Sequence, residues 1–170
     1  MDKAKRNNTL TCVLFIIYIV ALIWIILFKL HFSFAEISRV RTINLIPFHG
    51  SDVIGANEIY NILFFMPLGI YICMLKTEWL FIKKVAAIFC LSLSFEIAQY
   101  LFAIGRTDIA DLLCNTLGGL IGIGIYELIF IILKHKTSKI LNVVALVFTI
   151  CIVSFFVLLI THAIPLRIQL

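Results

Sequence analysis

Charged residues are scarce in this chain of 170 residues, since Asp, Glu, Lys and Arg together make up 14% of it, against roughly 25% in an ordinary soluble domain. Apolar residues account for 63%. A soluble protein of this size has too little interior to bury so much apolar surface, and the same figures exclude intrinsic disorder. The chain is therefore predicted to be an integral membrane protein, with room for about four to six spans of roughly 20 residues each.

Motifs for several common site chemistries are also missing. The five cysteines form no C-x-x-C pair and lie inside or at the ends of apolar runs, which favours small apolar membrane side chains over disulfide or zinc ligands. There is no glycine-rich phosphate loop, and the net charge of +5 is interpreted as a topology signal. We therefore expect no cofactor, no metal ion and no nucleic-acid partner. A metal site combining His49, Glu96 and Asp111 stays open as an alternative that no spacing supports.

Five apolar stretches are long enough to cross a bilayer. They lie at about 10–28, 59–75, 79–104, 109–133 and 140–164. Because lipid offers no partner for bare backbone groups, each stretch is predicted to be an α-helix. The sequence thus predicts an all-α membrane protein, a bundle of about five transmembrane helices that forms a single domain over residues 1–170.

The distribution of Lys and Arg predicts the orientation. With the N-terminus inside, nine of these residues lie on the inner side of the membrane and five on the outer side. Positive charge concentrates in cytoplasmic loops, so a cytoplasmic N-terminus and an extracellular C-terminus are expected. The only long segment outside the membrane is then an outer loop at about 29–58, which is too short for a catalytic domain.

With this orientation, polar residues gather in the outer half of the membrane. Glu96 and Gln99 share one face of the third span, with Ser92 a turn deeper. The fourth span begins with a stripe at helical spacing, which comprises Asp108, Asp111, Asn115, Gly118 and Gly122. The two glycines predict a close approach of another helix, and the carboxylates predict a polar site above it. Pro67 predicts a kink in the second span.

Two interpretations of this polar cluster stay open. Carboxylates inside a membrane are energetically unfavourable and are usually paired, and Arg106 is the nearest cation along the chain. The cluster is then either a salt-bridge and amide network that only holds three helices together, or a site that binds a polar head group or transfers protons. Ionisable groups within a membrane are functional candidates by default.

Four segments occur in an order that resembles the VanZ-like family of small bacterial membrane proteins. They are NLIPF at 44–48, NILFFMPLG at 61–69, S-x-x-x-E-x-x-Q at 92–99, and RTDIADLLCNTLG at 106–118. The resemblance covers roughly residues 10–132. It implies a multi-pass protein of the Gram-positive cell membrane, and an association with resistance to teicoplanin, a lipoglycopeptide antibiotic, rather than to vancomycin. The positions that match the family's motifs are Asn44, Asn61, Glu96, Gln99, Arg106, Asp108, Asp111 and Asn115.

The first functional hypothesis is a binding protein without catalytic activity. Its outward-facing pocket holds a lipid-linked cell-wall component or the lipoglycopeptide, and Arg41 and Arg106 meet anionic groups. The other predicted ligand-binding residues are Asn44, Asn61, Glu96, Gln99, Asp108, Asp111 and Asn115. The alternative is a membrane-embedded enzyme that modifies the head group of an envelope lipid, with Glu96 and Asp111 as its acid–base pair. A proton-coupled lipid transporter is a third hypothesis, which the lack of internal repeats disfavours.

Overall fold

The computed structural model describes residues 3–28, 41–44, 55–103 and 105–168, and nearly all of them are helical. Among these residues there are five α-helices and two short strands, with a 3-10 turn before the last helix. They are α1 (Lys3–Phe28), β1 (Arg41–Asn44), α2 (Ala56–Leu75), α3 (Phe81–Phe102), β2 (Gly105–Asp108), α4 (Ile109–Leu133) and α5 (Thr137–Ile168). The second, third and fourth predicted spans begin and end within a few residues of α2, α3 and α4.

Four helical stretches of the described chain are long and apolar enough to cross a membrane. They are Asn8–Leu27, Ala56–Leu75, Phe81–Phe102 and Ile109–Ser154. The last stretch contains α4, the 3-10 turn and the first part of α5. Lys134 in that turn has a φ of 46°, so the backbone departs from helical geometry between α4 and α5. The protein is therefore mostly helical with four candidate spanning stretches, and five separate spans remain a prediction.

The two strands are a departure from the all-α prediction. β1 and β2 pair in parallel, with Arg41 opposite Gly105 and Asn44 opposite Asp108. α3 ends at Phe102, and the next residue, Ala103, has a φ of 54°, so the helix does not continue toward β2. Each strand has only four residues, which is too short for a recognisable alternation of polar and apolar side chains. Their pairing therefore left no signal in the sequence.

The largest contact between helices is formed by α2 and α4. A β-carbon at Gly118 would collide with the backbone carbonyl of Ile62, and one at Gly122 with that of Met66. Gly69 of α2 is equally close to the backbone of α4. Only glycine permits such close contact between helix backbones, so these positions hold α2 and α4 together as one unit.

An apolar core lies where α1 to α4 meet. The rings of Phe65 and Phe95 pack edge to face, with centroids 6.1 Å apart and planes 84° apart. Other buried members of this core are Leu22, Ile26, Leu68, Ile72, Ile88 and Ile123. Outside the core, large apolar side chains such as Ile132 and Phe148 are exposed by 77% and 67%. An exterior of that kind fits a lipid environment rather than water.

Two polar contacts fix α1 on its neighbours. Pro67 lies inside α2 and has no N–H group, so the helix loses one backbone hydrogen bond to the carbonyl of residue 63. The next carbonyl, that of Phe64, accepts a hydrogen bond from the Tyr18 hydroxyl of α1 at 2.8 Å. Near the start of α1, Thr11 and Asn142 of α5 exchange two buried hydrogen bonds of 3.1 and 2.8 Å. These bonds attach α1 to α2 and to α5.

Candidate functional site

Asp108 stands where β2 ends and α4 begins. Its Oδ1 accepts a hydrogen bond from the backbone N–H of Ala110 at 2.9 Å, so it is the N-cap of α4. Its Oδ2 accepts one from the Asn44 side-chain amide at 3.0 Å. Both carboxylate oxygens are thus engaged within the protein, and Asp108 connects β1, β2 and α4.

Glu96 lies beneath this connection. It is 4% exposed, and its Oε2 accepts a hydrogen bond from the backbone N–H of Asp108 at 3.0 Å. The hydroxyl of Thr107 donates to the backbone carbonyl of Glu96 at 3.3 Å. α3 therefore holds β2 through both the side chain and the backbone of one residue. Thr107 was not identified from the sequence as a residue of this site. The only local signal is that it immediately precedes Asp108, the N-cap of α4.

Asp111 forms the contact between α2 and α4 at the same end of the bundle. The amide of Asn61 donates to Asp111 Oδ1 at 2.7 Å. Both side chains are only partly buried, unlike Glu96. A short bond to a carboxylate is stronger than a neutral hydrogen bond, so it orients the Asp111 side chain at the edge of the cluster.

Asn115 lies one turn deeper in α4 than Asp111 and is 1% exposed. Its side-chain amide donates to Ser92 Oγ of α3 at 2.9 Å. Its Oδ1 is buried and has no hydrogen-bond partner among the described residues. Asn115 thus joins α3 to α4 below the carboxylates and leaves one buried acceptor for a further donor.

Gln99 of α3 contacts α1. Its amide donates to the backbone carbonyl of Ile26 in α1 at 2.9 Å, and it is 2% exposed. Helical spacing predicted Gln99 on the face of Glu96, and both side chains are buried. We refer to Asn44, Asn61, Glu96, Asp108, Asp111 and Asn115 as the outer polar cluster; Gln99 lies beside it.

The two predicted arginines belong to the paired strands. Arg41 begins β1, and Arg106 of β2 lies opposite Thr42 of β1. The side chains of both arginines lie outside the described residues, as do residues 45–48 of the NLIPF segment and His49. Within the part of the chain that is described, no three His, Cys, Asp or Glu side chains come together as possible metal ligands.

The glycines predicted for helix packing lie directly below the cluster. Gly118 and Gly122 contact the α2 backbone at Ile62 and Met66, and Asn61 immediately precedes Ile62. The close approach of α2 and α4 therefore continues upward into the hydrogen bond between Asn61 and Asp111. Side chains from four elements, β1, α2, α3 and α4, thus lie at one end of the bundle, in three hydrogen-bonded sets: Asn44 with Asp108 and Glu96, Asn61 with Asp111, and Asn115 with Ser92.

Comparison with known proteins gives two related findings. The sequence model of the VanZ/LLP1 family matches residues 15–132. The chain is also 38% identical over 125 residues to Protein VanZ of Enterococcus faecium, an alignment that covers 72% of this chain and 75% of that protein. No solved structure matches. The matched residues contain every member of the outer polar cluster.

Proposed function

Because this chain belongs to the VanZ/LLP1 family, we propose that it binds an amphipathic molecule of the Gram-positive cell envelope at the outer polar cluster. The ligand is a lipid-linked cell-wall component or a lipoglycopeptide antibiotic such as teicoplanin, and binding protects the cell from the antibiotic. The protein crosses the cell membrane five times, with its N-terminus in the cytoplasm and its C-terminus outside. The Lys and Arg distribution supports that orientation.

Packing supports the proposed arrangement of spans. The bonds between Thr11 and Asn142 bring the N-terminal parts of α1 and α5 together at one end of the bundle. In the outer polar cluster, the hydrogen bond between Asn61 and Asp111 joins the start of α2 to the start of α4. In a five-span arrangement, α1 and α5 both begin on the cytoplasmic side, and the cluster faces outward.

The hydrogen bond between Asn61 and Asp111 is the observation on which the proposal rests. It orients a partly exposed carboxylate at the ends of α2 and α4 next to their glycine contact. Such a carboxylate can accept hydrogen bonds from the hydroxyl, amide or ammonium groups of a ligand. Asp108 and Glu96, which hold the strands, position the site rather than contact the ligand.

Apolar surface beside the cluster suits the rest of an amphipathic ligand. Tyr60 and Leu63, on either side of Asn61, are 54% and 51% exposed, and Leu117 of α4 is 45% exposed. We propose that an acyl chain lies along this surface while the polar head group meets Asp111. In the same arrangement, Arg41 and Arg106 receive anionic groups of the ligand.

The alternative function is that of an enzyme in which Glu96 and Asp111 transfer protons to and from the head group of an envelope lipid. The bond from the Asp108 N–H to Glu96 favours binding over this alternative, because it commits a deeply buried carboxylate to holding the backbone. Asp111→Asn separates the two functions. It keeps an acceptor for Asn61 but removes the charge and the base, so an enzyme loses nearly all activity, whereas a binding site is weakened.

The test is susceptibility to teicoplanin and vancomycin in a Gram-positive host that expresses the wild type or Asp111→Asn at equal membrane levels. A matched control is Glu78→Gln, which removes an exposed carboxylate between α2 and α3. We expect protection against teicoplanin alone, reduced several-fold by Asp111→Asn and unchanged by Glu78→Gln. If the wild type gives no protection against teicoplanin, the proposed resistance function is wrong. If Asp111→Asn protects as fully as the wild type, Asp111 is not part of the binding site.

The effect of Asp111→Asn on binding can also be measured directly with the purified protein. Teicoplanin titrated into wild-type protein in detergent should bind with an affinity that Asp111→Asn lowers by roughly 10-fold, the value of about one charge-assisted hydrogen bond. We expect teicoplanin to be chemically unaltered after prolonged incubation with the wild-type protein. A modified product formed by the wild type and absent with Asp111→Asn would establish the enzyme instead.

A further inference from the structure

A lysine is buried at the end of the bundle opposite the outer polar cluster. Lys84, near the start of α3, is 7% exposed, and its ammonium lies within reach of the Cys73 thiol at the end of α2. Lysine is almost never buried without a partner. Among the described residues, no carboxylate forms an ion pair with Lys84, although Glu127 of α4 lies in the same neighbourhood. The described chain therefore leaves this charge uncompensated.

The surface around Lys84 is strongly positive. Six lysines whose side chains are described lie at this end, against two such carboxylates, those of Glu78 and Glu127. The five lysines other than Lys84 are all exposed; they are Lys76, Lys83, Lys134, Lys136 and Lys139. Exposed lysines of this kind are what the topology of a membrane protein requires. A buried lysine among them is not, and its position calls for an anionic partner.

An exposed apolar strip runs along α3 away from the lysines. Ile82, Phe89 and Leu93 are spaced by seven and four residues, so they share one face of the helix. They are 67%, 39% and 38% exposed. This strip lies on the face of α3 opposite Lys84, which is about 160° from Ile82 around the helix, and it marks α3 as lipid-facing. The lysines at the start of α3 are then at the membrane surface, where phospholipid head groups lie.

We propose that Lys84 binds the phosphate of an anionic phospholipid, with the exposed lysines around the head group. A basic pocket between helix ends is a known form of head-group site. The lipid belongs to the inner leaflet in the orientation proposed above. The site is separate from the outer polar cluster and does not depend on the function proposed for that cluster.

Lys83 and Lys84 form a matched pair for the test, because they are adjacent and alike but only Lys84 is buried. Delipidated protein in a neutral detergent is titrated with dioleoylphosphatidylglycerol or dioleoylphosphatidylcholine, and bound lipid is counted by native mass spectrometry. We expect the wild type to prefer the anionic lipid. Lys84→Gln should lower that affinity roughly 10-fold or more, whereas Lys83→Gln should change it less than about 3-fold.

Two further measurements distinguish a loss of lipid binding from misfolding of the variant. Helix content by circular dichroism should be equal in all variants, and Lys84→Arg, which keeps the charge, should retain the preference for phosphatidylglycerol. Inorganic phosphate at millimolar concentration should not compete with the lipid. Equal affinity of Lys84→Gln and wild type, equal binding of phosphatidylcholine, or displacement by inorganic phosphate would each overturn the proposal.

Discussion

Asn44 and Asp108 occupy the same register at the ends of two parallel strands, and the Asn44 amide donates to Asp108 Oδ2 at 3.0 Å. The second oxygen of the same carboxylate caps α4 through the N–H of Ala110. A single side chain thus links a strand that precedes α2 to the first turn of α4. Residues distant in sequence are joined here by one acceptor group.

Removing that donor should destabilise the protein. Asn44→Ala leaves a partly buried carboxylate oxygen without its amide, with an expected loss of about 1–3 kcal/mol in the free energy of unfolding. Asn44→Asp should be worse, because it sets two carboxylates opposite each other. Thermal unfolding in detergent measures both, with Ile43→Ala, at an exposed neighbouring position, expected within about 0.5 kcal/mol of wild type. Asn44→Asp as stable as wild type would contradict this account.

The contact between α2 and α4 is tested by two glycines of α4. A β-carbon at Gly122 would collide with the Met66 carbonyl, whereas one at Gly124 would meet nothing within 4 Å. Gly122→Ala should therefore separate the helices and destabilise the protein by several kcal/mol. Gly124→Ala should be neutral or stabilise the helix by up to about 1 kcal/mol. The measurements are the amount of protein in the membrane and its melting temperature; equal behaviour of the two variants would refute the close contact.

The attachment of α5 depends on a reciprocal bond. Thr11 and Asn142 are 3% and 1% exposed and exchange two hydrogen bonds. Thr11→Val and Asn142→Leu should each destabilise the bundle, and the double variant should lose less than the sum of the two. A coupling energy of about 0.6–2 kcal/mol is expected from cycles in other membrane proteins. Unfolding followed in all four proteins gives that energy, and strict additivity would show that the pair does not interact.

Much of the helical framework could be predicted from the sequence. Apolar length alone predicted α2, α3 and α4 to within a few residues, because a helix in lipid must match the thickness of the membrane. The spacing of Asp108, Asp111 and Asn115 with the two glycines predicted one face of α4. That face depends only on the 3.6-residue period of the helix.

Other features depend on contacts between distant segments, which periodicity does not encode. The strand pair joins residues 41–44 to residues 105–108, and nothing local in either segment specifies its partner. Helical spacing placed Gln99 on the face of Glu96, but it did not indicate that the Gln99 amide bonds to the Ile26 carbonyl of α1. In the sequence, Lys84 was counted only among the lysines that predict the orientation in the membrane. Its burial could not be predicted, because it depends on how other helices pack against the start of α3.

Asp108 is both the last residue of β2 and the cap of α4, so no flexible linker separates the strand from the helix. α4 has 25 residues and is therefore roughly 37 Å long. Gly118 and Gly122, near the midpoint of α4, contact the backbone of α2, so α4 can pivot about this contact. A displacement of the strands would therefore tilt α4 about this contact, and Leu133 at its far end would move in the opposite direction. A change at the end of α4 that carries Asp108 and Asp111 would thus reach the opposite end of the bundle.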